Sequence, residues 1–173
     1  MHGIFCLILH LKSTATFSFN MFIGEHIAKL DTRNRVMLPA TLKRQLKGAE
    51  ADGFVIKKDI FQPCLVLYPM SEWERQTSIL RKRLNPYNAE HAKVLRQFYR
   101  GTAEMFLDAN NRLLIPKRLI EVISADKDLV FAGLDTKIEI WSLDAWQSME
   151  EPDDFGSLTE KILGQSDNLF GLE

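Results

Sequence analysis

The 173-residue sequence predicts an α+β protein, mainly β, built from two tandem copies of one small unit with short flanking helices. Three observations carry this expectation. Residues 24–46 (GEHIAKLDTRNRVMLPATLKRQL) and 101–123 (GTAEMFLDANNRLLIPKRLIEVI) align without a gap at an offset of 77. A second block, LVLYPMSEW at 65–73, matches IEIWSLDAW at 138–146 in the same order. Within each copy, apolar residues alternate with period two and then, after a proline, recur at i, i+4.

Each copy opens with a strand. His26, Ala28 and Leu30 share one face, as do Ala103, Met105 and Leu107, and that face is expected to be buried. A D-x-x-N-R element follows. Asp31 and Asp108 suit a turn because a carboxylate can accept backbone N–H bonds two residues on. Asn34 and Asn111 are expected in the left-handed region, which asparagine tolerates better than other non-glycine residues. A strand resumes at Val36–Leu38 and Leu113–Ile115. Pro39 and Pro116 are expected at the first position of a short helix, where a missing N–H costs nothing. Leu42 with Leu46, and Leu119 with Ile123, give that helix an apolar stripe.

Strands are next expected at Phe54–Lys58 and Cys64–Tyr68, and in the second copy at Leu129–Ala132 and Lys137–Trp141. A helix carrying Trp73 or Trp146 closes each copy. A β-turn-β-α-β-β-α unit of about 50 residues is small for an independent core, so paired copies or oligomers are expected. Between the copies, one helix is expected from Met70 to Leu84, ending in the basic run Arg81-Lys82-Arg83, and a second from Tyr87 to Arg100, with Asn85-Pro86 as the break. Glycine and serine are scarce there, so the connection reads as rigid. The expected organisation is an N-terminal extension at 1–20, a first repeat with its helix at 21–84, a connecting helix at 85–100, a second repeat at 101–150 and an acidic tail at 151–173. Glu150, Glu151, Asp153 and Asp154 mark the acidic stretch, before a weakly amphipathic run through Phe155, Leu158, Ile162 and Leu163.

Composition narrows the function. The formal net charge is -1, which taken alone argues against a polyanionic partner. Yet residues 1–100 hold 16 basic and 8 acidic side chains, while residues 101–173 hold 6 and 15. The near-neutral total hides a basic first half. Cys6 and Cys64 form no CxxC pair, and His2, His10, His26 and His91 have no ligand spacing, so no metal and no cofactor are expected. No apolar run reaches the roughly 20 residues of a membrane helix. The apolar stretch GIFCLILHL at 3–11 resembles a signal-peptide core, but no Lys or Arg precedes it. Residues 1–20 are therefore expected to be an upstream extension or a disordered lead, with the patterned chain opening at Met21.

The repeated D-x-x-N-R-[VL]-[ML]-[LI]-P element, the opening MFIGEH and the closing IEIW resemble the MraZ family, whose members carry two AbrB-like domains in one chain. The resemblance spans roughly residues 21–150. It implies paired swapped-hairpin β units forming a pseudo-symmetric barrel, assembled into a ring homo-oligomer. It also implies a cytoplasmic, nucleoid-associated transcriptional regulator that binds double-stranded DNA at short direct repeats in its own promoter and represses the division and cell-wall gene cluster. The family turn usually carries glycine where this chain has Asn34 and Asn111.

Carried over by position, the family's DNA-contacting arginines are Arg35 and Arg112. Their structural alternative is pairing with Asp31 or Asp108 across the turn. Arg33 flanks the first turn, where the second copy has Asn110. Lys43 and Arg44, and the second-copy residues Lys117 and Arg118, are candidate phosphate contacts weighed against a plain solvated face. Trp73, Trp146, Phe98 and Tyr99 are read as packing residues rather than base-stacking ones. Asp31 and Asp108 share no nucleophile or histidine, and no phosphate-binding glycine loop is present, so catalysis and a small-molecule substrate are not expected. The competing function is an AbrB-like antitoxin or protein-interaction scaffold.

Overall fold

The computed structural model describes residues 21–149 and 154–164. The expected extension at 1–20 and the acidic residues Glu150, Glu151 and Asp153 lie outside the described residues. The first copy runs β1 (Phe22–Lys29), β2 (Arg35–Met37), α1 (Ala40–Gln45), a 3-10 turn (Ala49–Asp52), β3 (Phe54–Lys58), β4 (Leu65–Pro69) and α2 (Met70–Arg83). After α3 (Ala89–Tyr99) the second copy repeats the order as β5 (Ala103–Met105), β6 (Arg112–Leu114), α4 (Lys117–Val122), β7 (Asp128–Asp135), β8 (Lys137–Ser142) and α5 (Leu143–Gln147). A last helix, α6, covers Phe155–Leu163. The fold is mixed α+β and mainly β, as the repeat analysis expects.

The copies are joined strand by strand. β1 of the first copy pairs antiparallel with β7 of the second, from Phe22 opposite Asp135 to Lys29 opposite Asp128. β5 of the second copy pairs with β3 of the first, Phe54 facing Met105 and Ile56 facing Ala103. β4 and β8 join the two halves, giving one six-stranded sheet of order β1-β7-β8-β4-β3-β5. β2 and β6 pair only with each other, as a separate two-stranded ribbon.

Closure of the pseudo-symmetric barrel expected from the resemblance is not detected among the described residues. Among the described residues the large sheet keeps two edges, β1 and β5, and the ribbon is tied to the segment after β1 by the isolated bridge Leu30 to Val36 and by the Asp31 N–H donating to Arg35 O at 2.8 Å. The two edge strands are unequal: β1 has eight residues, whereas its counterpart β5 has three.

One core serves both copies. Phe22, Val36, Leu42, Leu46, Phe54 and Ile56 from the first cluster with Leu113, Ile115, Leu119, Ile123, Leu129 and Phe131 from the second. Met105 is buried on the predicted inward face of its strand, while Ala28, Leu30, Ala103 and Leu107 are half-buried against that core. His26, on the same face, is half-buried like Ala28 and Leu30, and its Nε2 is enclosed with no hydrogen-bond partner among the described residues.

The prolines sit one residue earlier than predicted. Pro39 and Pro116 are the N-caps of α1 and α4, with φ of -54° and -56° and extended ψ of 132° and 131°. The extended ψ lets the ribbon strand run straight to the helix, and the proline carbonyl begins the helical ladder, as in Lys43 N–H donating to Pro39 O at 2.9 Å.

The aromatic residues pack, as expected, but mostly outside the main core. Trp73 of α2 stacks on Phe98 of α3 at 5.5 Å and meets Tyr99 edge-on at 5.6 Å. Trp146 packs against Trp141 in a smaller cluster with Cys64 and Val130. The amphipathic run of the tail is helical in α6, with Phe155, Leu158, Ile162 and Leu163 exposed. Among the described residues no helix is long and apolar enough to cross a membrane.

Candidate functional site

The most repeated piece of chemistry in the molecule is the D-x-x-N-R turn, and its two copies have the same geometry. Asp31 Oδ1 accepts the main-chain N–H of Arg33 at 2.8 Å and of Arg35 at 2.9 Å. Its other oxygen, Oδ2, accepts Arg35 Nε and Nη2, both at 2.8 Å. Asp108 does the same for Asn110 N–H, Arg112 N–H and the Arg112 guanidinium, at 2.8, 2.9 and 2.7–2.8 Å. Asn34 and Asn111 close the turns with φ of 58° and 59°. This left-handed backbone lets the Asn34 N–H reach Asp31 O at 3.0 Å and the Asn111 N–H reach Asp108 O at 2.9 Å.

The carboxylates respond to these donors. The Arg35 main-chain N–H, seconded by its side chain, pushes Asp31 down to about 2. The Arg112 side chain, with its main-chain N–H, lowers Asp108 below its ordinary value. Both aspartates are therefore ionised across the physiological range and both arginines are clamped. The ion-pair alternative for Arg35 and Arg112 is thus observed. Each pair is neutral overall, and the guanidinium nitrogen Nη1 has no hydrogen bond among the described residues.

The ribbon brings the two turns onto one surface. Arg35 lies opposite Leu114, Val36 opposite Leu113 and Met37 opposite Arg112. Leu38 N–H donates to Asn111 O at 3.0 Å, and Ile115 N–H to Asn34 O at 2.9 Å, extending the ribbon at both ends. Side chains alternate along a strand, and Val36 and Leu113 are fully buried. Arg35, Met37, Arg112 and Leu114 consequently share the outer face. The two arginines occupy diagonal positions, which places their backbones about 7–8 Å apart. Met37 and Leu114 are 58% and 60% exposed between them. Sequence reading placed these two residues in a strand without assigning them an exposed role. The available signal was their period-two neighbourhood with Val36 and Leu113.

The remaining candidates divide. Arg33 is exposed at the tip of the first turn, and Arg44 is exposed on α1. Lys43 Nζ donates to Asn111 Oδ1, so the helix of the first copy reaches the turn of the second. Lys117 pairs instead with Glu121 at 3.6 Å, both exposed. Arg118 donates to the carbonyls of Gly101 and Thr102 at 3.0 and 3.2 Å. Neither of these two is bonded to a turn. Among the described residues no group of histidine, cysteine or carboxylate side chains could hold a metal ion.

Residues 21–97 and 98–162 each match the family described as MraZ protein, putative antitoxin-like. The transcriptional regulator MraZ of Phocaeicola vulgatus is 41% identical over 149 residues, covering 86% of this chain and 97% of that one. The protein of the same name from Bacteroides thetaiotaomicron is 38% identical over 151 residues, covering 87% and 97%. That from Clostridium acetobutylicum is 36% identical over 144 residues, covering 82% and 96%.

Proposed function

The chain belongs to the MraZ family, and from that premise we propose that it is a transcriptional regulator, not an enzyme, that binds double-stranded DNA through the outer face of the β2–β6 ribbon. The observation that carries the proposal is the pairing of two equivalent, aspartate-clamped arginines on one outward surface. A two-stranded ribbon is narrow enough to enter the major groove. A guanidinium already held by its own carboxylate loses little freedom on binding. Because each Asp–Arg pair is neutral, bulk attraction has to come from elsewhere. Arg33, Arg44 and Lys43 flank the ribbon and would supply salt-sensitive phosphate contacts, with Lys117 and Arg118 as weaker second-copy counterparts.

In this reading residues 21–84 and 101–150 are two swapped-hairpin AbrB-like units joined by residues 85–100, and the whole chain is a cytoplasmic, nucleoid-associated protein. It assembles into a ring whose ribbons engage successive short direct repeats upstream of its own gene. Linkage within the ring raises the effective concentration at each further repeat, so individually weak contacts suffice. Repression of the division and cell-wall gene cluster is the regulatory outcome.

The test is a titration of the DNA upstream of its own gene with wild-type protein and Arg35→Ala, repeated across a salt series. The substitution is expected to weaken binding at least tenfold and to flatten the salt dependence by about one unit of slope. Unchanged affinity together with an unchanged slope rejects the assignment. The antitoxin or scaffold reading is favoured by the wording of the family description. It predicts a small protein that copurifies stably with the chain, and DNA affinity indifferent to Arg35.

A further inference from the structure

The ribbon face holds two residues that phosphate binding does not explain. Met37 and Leu114 are large, apolar and more than half exposed, yet they project from the surface that carries Arg35 and Arg112. Their neighbours in the strands, Val36 and Leu113, are fully buried, so the pleat fixes them outward with no core to enter. Each is placed directly across from an arginine. Leu114 faces Arg35 and Met37 faces Arg112, in the antiparallel register where opposed Cα atoms lie about 4.5–5.5 Å apart.

The result is two arginine–apolar couples related by the internal repeat. Base edges in the major groove offer matching chemistry. Guanine presents two acceptors to a guanidinium, and thymine presents a 5-methyl group that only an apolar contact rewards. A cross-strand distance of about 5 Å spans one to two base-pair steps of roughly 3.4 Å. Each couple can therefore meet a guanine and a nearby thymine together.

We propose that Met37 and Leu114 are specificity-determining residues that read thymine 5-methyl groups while Arg35 and Arg112 hold the ribbon in the groove. This rests on the DNA-binding reading above, and it adds which chemical group is recognised and by which side chains. It also explains why the outer face of a short, water-exposed ribbon carries methionine and leucine instead of threonine or lysine, which would solvate it.

The experiment removes only the methyl groups. The DNA upstream of the gene is prepared with thymine and with deoxyuridine in its place, and both duplexes are titrated at one salt concentration with wild type, Met37→Ser, Leu114→Ser and the double variant. Wild type is expected to bind the deoxyuridine duplex about 4-fold more weakly for each methyl contact, about 15-fold for two. The double variant is expected to bind the thymine duplex more weakly by a similar factor and to lose nothing further on deoxyuridine. Wild-type affinity that ignores the methyl groups overturns the proposal, and needs no variant to be folded. So does a double variant that still discriminates by the full factor. A change in oligomer size in the serine variants, with no methyl dependence in wild type, would assign the apolar pair to contacts between copies and also overturns it. Failure of wild type to bind the thymine duplex at all is a different result, because it removes the DNA-binding reading itself.

Discussion

Asp31 and Asp108 each organise a turn with one side chain, and two predictions belong to that scale. Their folded-state pKa values are depressed, to about 2 for Asp31 and in the same direction for Asp108, from an ordinary 3.8. A group shifted downward on folding stabilises the native state fully above its unfolded pKa. That contribution fades as pH falls through the folded one. The turns should therefore be unaffected at neutral pH and loosen between about pH 4 and pH 2. Carboxyl-carbon NMR should find the Asp31 midpoint near 2; midpoints at or above 3.8 for both aspartates contradict the clamp. The second prediction concerns Asn34, whose φ is 58°. Asn34→Ala should cost about 1 kcal/mol in denaturant unfolding, because a Cβ without a local polar group is penalised in the left-handed region. The asparagine conformations were legible from the sequence, since few residues are tolerated at such a reversal. Whether the following arginine is clamped or free was not: both outcomes need the same residue at the same position, and only the rotamer separates them.

At the scale of elements, the ribbon is the feature on which the site depends. Only three residues of each strand pair, so its position rests on Val36 and Leu113 anchoring it in the core. Leu113→Ala should destabilise the protein by about 2–5 kcal/mol and weaken DNA binding with it. By contrast, Met37→Ser, on the exposed side, should leave the unfolding midpoint within about 0.5 kcal/mol of wild type. Chemical denaturation of the two variants checks both. Most elements fall where they are expected: β3 covers Phe54–Lys58, and α2 ends one residue early. The proline displacement by one position follows from chemistry that is the same at both places, as a φ near -55° suits an N-cap and a first helical residue equally. The outward exposure of Met37 and Leu114 was hidden because an apolar run of three reads as core until one knows that the ribbon has only one covered face.

At the scale of the whole molecule, the two repeats are interlocked strand by strand. Alternation tells which residues of β1 face inward but not that its partner is β7 of the other copy, so the exchange of strands was beyond local sequence reading. The exchange predicts that residues 21–149 unfold in one cooperative transition. Residues 21–84 alone, deprived of β5, β6 and β7 as partners for β3, β2 and β1, should show none by calorimetry. Two separate transitions, or a cooperatively folded fragment, would contradict the interlocked arrangement. The charge distribution also changes meaning at this scale. A formal net charge of -1 gives no bulk attraction to a polyanion, so the proposed DNA binding would rest on a few placed cations and on repetition of the ribbon in the proposed ring.

The most direct measurement is therefore photo-cross-linking from the ribbon itself. With a photoreactive side chain at position 37 and the DNA upstream of the gene as target, illumination should attach the protein to bases within the bound repeats. The attachment should vanish when Arg35 and Arg112 are both replaced by alanine. Cross-linking only to protein, or equal attachment to unrelated DNA in the presence and absence of the two arginines, would contradict a ribbon that reads DNA.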